Sequence, residues 1–350
     1  GGILSQSIDN YEHRSQQIKM ARHVYDAVVS GDRLIVEAPT GTGKTLAYLI
    51  AVILSRKRAV ISTGAKNLQE QLFYKDIPFV RDNLFGGVSA ALLKGRGNFV
   101  CHLRLKNFLR QPSLFSVTDE KHLQRILAWY RVTNQEGEGD RAEIADLPDD
   151  SQVWSEICST AESCIGKKCP DNDRCFIQKM KARAVQADIM IVNHSLLASD
   201  MKVKASGYGE VIPRYEILIV DEAHGFEEIA TKHLGFQISL FRITRHCRDL
   251  KSKLAEQKSD TSKILPYVTE VEEASKRMFK FFEDVSGTRS LDSYINPSVM
   301  ETVKLLVSRL DITSSMVLNV PDVSEELRLL GKRASDMGLE IQTVFDLNSD

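Results

Sequence analysis

The stretch RLIVEAPTGTGKTLAYLIAVIL, residues 33–54, decides the fold. It opens on a short apolar run of β type (33–38), crosses a glycine loop and continues as a helix-like apolar segment. Strand, glycine loop, helix is the P-loop order, in which successive backbone N–H groups turn toward phosphate oxygens and the helix N-terminus adds partial positive charge. Gly41 and Gly43 permit the close backbone approach, and Thr40 and Thr42 complete the loop. Lys44 is expected to reach the β- and γ-phosphates and the Thr45 hydroxyl to bind Mg²⁺. Ala38 stands where the P-loop pattern begins with glycine. The bland reading, a glycine-rich turn without chemistry, is disfavoured by the elements on either side.

LIVDEAH (218–224) supplies the partner. An apolar strand ending in two acids places Asp221 and Glu222 at the carboxyl edge of a sheet, where α/β folds bind ligands. Asp221 is expected to hold Mg²⁺ through water, and Glu222 to orient and deprotonate the attacking water. Acids often follow a strand merely to begin a helix, so the tetrapeptide alone says little. Together with Lys44 it reads as nucleotide hydrolysis.

Working outward, residues 11–30 have amphipathic helical spacing, AVIST (59–63) is a buried strand, and KNLQEQLFY after it is helical. ADIMIVN (187–193) and YEILIVDEA (215–223) are further strands. Apolar strands alternating with helices predict a parallel sheet. More than a hundred residues of different character separate the second strand from ADIMIVN. They include the polar, loop-like run 134–152 and read as an inserted module. Beyond Glu228 the chain is helical and charged, with a break at GTRSLDSYINPS.

The chain has 350 residues, 43% hydrophobic and 27% charged, with a net charge of −1. Such values describe an ordinary globular protein and do not advertise nucleic-acid binding, so any basic surface must be local. The longest apolar run, LAYLIAVIL (46–54), is too short to span a bilayer, and no signal-peptide core opens the sequence, so a cytoplasmic protein with no membrane contact is expected. One local basic region does occur. Between Asn83 and Thr118 there is no acid, while Lys94, Arg96, Arg104, Lys106 and Arg110 alternate with Phe85, Phe99, Phe108 and Phe115. A basic groove with stacking aromatics suits single-stranded DNA; a solvated face above core phenylalanines is the plainer alternative.

Four of the six cysteines fall between Cys158 and Cys175. Six in a chain this long is no disulfide scaffold, and in a reducing compartment the clustering reads as metal ligation, by zinc or by an iron–sulfur cluster. Structural zinc sites favour C-x2-C knuckles, and none occurs here.

APTGTGKT with DEAH resembles the superfamily-two helicases, and in detail the XPD/DinG group of iron–sulfur DNA helicases, most similar to its bacterial YoaA/DinG branch. YEHRSQQIKM (11–20) resembles that family's adenine-reading Q motif, with Gln17 at the glutamine position. VISTGAKNLQEQL (60–72) resembles the motif that contacts single-stranded DNA, LKGRGNFVC (93–101) the approach to the first cluster cysteine, and IVNHSLL (191–197) the stretch before the DEAH strand. The resemblance covers residues 9–230 specifically and the remainder loosely. It implies a RecA-like motor domain in 1–92 and 185–230, a small iron–sulfur domain in 93–184, and a helical, arch-like and incomplete domain in 231–350. It further implies that ATP and Mg²⁺ bind at Gln17, Thr40–Thr45 and Asp221, with Lys44, Asp221 and Glu222 catalytic. A [4Fe–4S] cluster would be held by Cys101, Cys164, Cys169 and Cys175, leaving Cys158 and Cys247 as bystanders. Thr63, Lys66, Arg96, Arg104, Lys106, Asn193 and His194 become candidates for DNA contact or coupling.

By the same resemblance the activity is 5′→3′ helicase action on single-stranded or forked DNA in repair or replication, with a replication or repair protein as a possible partner and no oligomer implied. The family's second motor domain and its SAT-type motif do not appear in this sequence. The chain is therefore expected to be the N-terminal half of a helicase, binding ATP–Mg and DNA without unwinding. A nucleotide- and DNA-binding or partner-docking module without turnover is the alternative.

Overall fold

The computed structural model describes residues 12–110, 117–161, 163–205, 210–257 and 261–346. The chain divides into two compact units, Gly1–Ser159 with Pro170–Gly235, and Thr160–Cys169 with Phe236–Asp350. The helical part was expected from residue 231; the helix Phe226–Leu234 carries the first unit through to Gly235.

A four-stranded parallel sheet organises the first unit. Its strands β1 (Ala59–Thr63), β2 (Ala90–Leu92), β3 (Ile189–Asn193) and β4 (Ile217–Val220) lie in the order β2-β3-β1-β4. Thr63 pairs with Asn193 and Ser62 with Val220, so three strands reach their carboxyl ends level with one another. Every residue of β1 is buried, as a parallel strand covered on both faces requires.

The two faces have different covers. Ala59, Ile61, Ile189 and Ile191 pack with Val24 of α1 (Ser15–Ser30) and with Tyr48, Leu49 and Val52 of α2 (Lys44–Ser55). The alternate residues Val60, Met190 and Val192 pack with Phe99, Leu105, Trp154, Phe176 and Met180 from the inserted stretch. These side chains of the inserted stretch therefore share one core with the sheet. Gly139 shows how close the fit is: it sits at φ +71°, and a Cβ there would lie 2.3 Å from the Phe176 ring.

Between β1 and β2 the helical run α3 (Lys66–Gln71) passes through a π-helical turn, Leu72–Asp76, into α4 (Ile77–Asn83). Pro78, in the first turn of α4, has no N–H to give to an α-helical ladder, and the Ile77 N–H reaches back to the Leu72 carbonyl.

One expected strand is not formed. Residues 33–38 carry no regular secondary structure, and Ile35 is 98% exposed. β4 ends the strand order, and residues 33–38 do not pair with its open edge. Leu218 on β4 is correspondingly 42% exposed.

The second unit is a bundle of α11 (Leu240–Glu256), α12 (Leu265–Lys280), α13 (Pro297–Leu318) and α14 (Glu325–Val344), where α10 is the Phe226–Leu234 helix and α5 to α9 are placed below. Ser239, Asn296 and Ser324 cap three of them by accepting a backbone N–H, the preferred chemistry of those residue types. Ile243, Leu250, Val271, Leu306, Leu310 and Leu327 fill the core. Gly331 lets α14 lie against α13, since a Cβ there would meet Val317 at 2.9 Å. Among the described residues no helix is long and apolar enough to cross a membrane.

His246 is buried in this bundle and neither ring nitrogen has a hydrogen-bond partner. Burial, aided by Arg333 and Arg242, pushes its pKa down to about 3. The folded value lies below the ordinary 6.5, so the unfolded chain binds the proton that the folded chain refuses. Stability is full above about pH 6.5 and falls by up to about 1.4 kcal/mol per pH unit on acidification. His246→Leu should flatten that slope in thermal unfolding between pH 7 and 4. An equal slope in both proteins would exclude His246 as the group responsible.

Candidate nucleotide site

The glycine loop is built as its sequence requires. Gly41 and Gly43 stand at φ +81° and +82°, where only glycine is unstrained, and Gly43 caps α2 so that Lys44 is its first helical residue. Within the loop the Thr42 hydroxyl donates to the Pro39 carbonyl at 2.7 Å. From α1, Gln17 Nε2 donates to the Gly43 carbonyl at 3.1 Å and Arg14 donates to the Gly41 carbonyl. The Q-motif glutamine thus lies against the loop itself, and a Cβ at position 43 would fall 2.0 Å from its amide nitrogen. Sequence reasoning singled out Gln17 and missed Arg14.

The acids arrive from β4. The Asp221 N–H continues the ladder to Ser62 at 2.8 Å. Glu222 then turns to φ +56°, an uncommon conformation for a residue with a side chain and one that concentrates at functional sites. That turn aims its carboxylate at the loop, where Oε1 lies 3.3 Å from Lys44 Nζ. Tyr48 of α2 donates to Asp221 Oδ2 at 3.1 Å. Two elements far apart in sequence therefore converge: the phosphate loop and both acids share one site. His224 is exposed, with Nδ1 3.5 Å from Glu222 Oε2.

Behind the acids lies His194, the first residue of α9 (His194–Ala205). It is fully buried, with Nδ1 2.7 Å from the Ser62 hydroxyl and its ring edge-on to Phe226. Burial holds its pKa below the ordinary range, favouring the neutral imidazole. Thr63 is equally buried. Neither side chain is presented at the surface. Asn193 accepts the Leu196 N–H at 2.8 Å and so caps α9. Lys66 and Asn193 border a cleft of about 270 Å³, with Glu70, Lys94, Asn98 and Arg141 among its walls.

The basic segment is more committed to structure than its composition suggests. Lys94 lies 2.6 Å from Asp140 and 3.4 Å from Glu70, with its side chain 14% exposed. Burial opposes its charge, yet the bonds to Asp140 and Glu70 prevail and hold its pKa above the ordinary value. On α5 (His102–Arg110), Arg104 donates to the carbonyls of Glu156 and Ser155 at the end of α7 (Gln152–Ile157), and Lys106 pairs with Asp171 at 2.9 Å. Arg96 is half-buried and Arg110 exposed. The expectation of interleaved stacking aromatics is corrected: Phe99 and Phe108 are core residues and Phe85 packs beneath the sheet, because each covers more apolar area there than in a groove. Phe115 lies outside the described residues. α6 (Val117–Glu136) follows that gap.

Cys101 and Cys175 stand at the starts of two helices, α5 and α8 (Phe176–Gln186). Their carbonyls accept the Leu105 and Lys179 N–H groups at 2.9 and 3.0 Å. His102 joins the two starts, with Nε2 3.0 Å from the Arg174 carbonyl and Nδ1 2.5 Å from the Tyr130 hydroxyl. Cys164 and Cys169 belong to the second compact unit, on Thr160–Cys169. All four are half-buried, whereas Cys158 and Cys247 are buried, and burial pushes the Cys247 thiol up to about 12. The thiol chemistry suits an iron–sulfur ligand set. Among the described residues, however, no three or more His, Cys, Asp or Glu side chains gather as a metal site.

A family model for DEAD/DEAH box helicases matches residues 17–95. The ATP-dependent DNA helicase YoaA of Haemophilus influenzae is 33% identical over 354 residues, covering 99% of this chain and 54% of that protein. YoaA of Escherichia coli is 36% identical over 263 residues, covering 75% of this chain and 41% of that protein. The ATP-dependent helicase DinG of Mycobacterium tuberculosis is 34% identical over 251 residues, covering 65% and 36%. The chain thus spans about half the length, or less, of the curated relatives it matches. With the loop, the DEAH turn and these similarities in agreement, the chain carries a DEAD/DEAH-box helicase domain and is similar to the YoaA and DinG helicases.

Proposed function

We propose that this chain contains the first motor domain of an ATP-dependent DNA helicase. The observation that carries the reading is the contact of Lys44 with Glu222 at 3.3 Å, across 178 residues of sequence, on the carboxyl edge of the sheet. Lys44 and the loop N–H groups would take the β- and γ-phosphates of ATP. Its ammonium would then leave Glu222, freeing that carboxylate to accept a proton from the attacking water. Mg²⁺, when bound, neutralises phosphate charge. Thr45 would supply a direct ligand for it, and Asp221 would act through water. Gln17, which reaches from α1 to the Gly43 carbonyl, would read the adenine.

DNA would follow the carboxyl edge past Lys66 and Asn193, with Arg96, Arg104 and Lys106 beyond them. The 5′→3′ direction and a forked or single-stranded substrate of repair or replication rest on the family resemblance. So do a replication or repair protein partner and the division into an iron–sulfur domain at 93–184 and an arch-like domain at 231–350. By the same resemblance Cys101, Cys164, Cys169 and Cys175 would hold a [4Fe–4S] cluster, supplying its four thiolates. The second reading, nucleotide and DNA binding or partner docking without turnover, is favoured by one observation. Residues 33–38, which lead into the phosphate loop, stand outside the sheet, so the loop lacks a strand to anchor it.

Lys44→Ala should weaken binding of a fluorescent ATP analogue by about tenfold or more, the worth of a lost charged contact, while leaving single-stranded DNA binding in place. Unchanged nucleotide affinity would remove the P-loop assignment. Protein purified without oxygen should be brown and carry roughly four iron and four sulfide per chain, the content of one cubane. Cys101→Ser and Cys175→Ser should each lose that iron. Stoichiometric zinc without iron would overturn the cluster.

A further inference from the structure

We propose that Tyr48 is the positioning residue of the metal side of the nucleotide site, fixing the Asp221 carboxylate through a directed hydrogen bond. The inference rests on the nucleotide reading above and adds a residue to it.

Tyr48 lies three residues after Thr45 on α2, so the two side chains share a helix face. It is 3% exposed, which is unusual for a residue with a polar tip and calls for partners at that tip. Its hydroxyl donates its single proton to Asp221 Oδ2 at 3.1 Å. The direction of that bond is fixed, because a carboxylate only accepts.

Asp221 Oδ1 accepts the Glu222 N–H at 3.1 Å while Oδ2 accepts from Tyr48. With both oxygens engaged the carboxylate is fixed in rotation, and each oxygen keeps a further lone pair for a metal-bound water. Tyr48 thus holds the Asp221 carboxylate in one orientation from a buried position. Partners of this kind, one step removed from the metal, typically govern metal affinity by 10–100-fold.

Tyr48→Phe tests this while keeping the ring that packs against the sheet. In the present chain, the affinity of a fluorescent ATP analogue is measured in EDTA and then as a function of Mg²⁺, and Mn²⁺ binding in the presence of ATP is followed by electron paramagnetic resonance. Expected is an unchanged affinity in EDTA, which also reports an intact fold, with the Mg²⁺ midpoint raised by about 10–100-fold and Mn²⁺ binding weakened in parallel. An unchanged Mg²⁺ midpoint and unchanged Mn²⁺ binding, in a protein whose Lys44→Ala variant loses nucleotide, would overturn the role of Tyr48 and leave the site standing. A loss of affinity in EDTA as large as the loss in Mg²⁺ would equally overturn it, since Tyr48 would then support the fold rather than the metal. Should Lys44→Ala retain full nucleotide binding, the site itself would be refuted and Tyr48 with it.

Discussion

The first unit depends on the parallel register of β1 with β3 and β4. Pairing Thr63 with Asn193 and Ser62 with Val220 stops three strands at one level. The buried histidine after β3 and the two acids after β4 hang from that level. A slip of one residue would turn each strand over and carry its apolar side chains to the wrong face. Period-two packing against two different covers prevents this, because both faces are buried and neither tolerates the exchange. The position of the acids is thus a by-product of core packing, which explains why a strand as short as β4 suffices to hold them.

The core also explains the behaviour of the inserted stretch. Phe99, Trp154 and Phe176 share a core with the face that Val60, Met190 and Val192 present. Polar contacts then decorate the seam. Lys94 ties the α3 helix, through Glu70, to Asp140, which heads a capping box with Glu143. A cation held between two carboxylates with little solvent fixes geometry more than it adds stability. The segment most basic in sequence therefore spends several of its charges internally.

Much of this was legible in the sequence, for identifiable reasons. APTGTGKT and LIVDEAH are local patterns whose residue types are dictated by phosphate and metal chemistry, so Lys44 and the two acids could be named, and the structure brings them together. AVIST and ADIMIVN announced themselves as buried strands by unbroken apolar runs. Tyr48 was hidden, although its spacing from Thr45 placed it on the correct helix face, because a tyrosine among leucines and valines reads as core. Phe99 and Phe108 misled in the opposite sense: aromatics between arginines suit either a groove or a core, and only the neighbours decide. RLIVEA had strand composition without a strand's partner, and pairing is a property of the sheet, not of the segment.

That last feature has a practical side. β4 ends the sheet with the residues ILIV, free of lysine, proline or any internal charge, and its Leu218 is open to solvent. Natural edge strands are usually blunted by one of those devices because a bare ladder of N–H and C=O groups will recruit any extended chain it meets. RLIVEA, with Ile35 almost wholly in water, is such a chain. In concentrated solution one molecule can offer the edge and another the segment. Self-association by this route would begin beside the phosphate loop, so colloidal behaviour and nucleotide binding would rise and fall together.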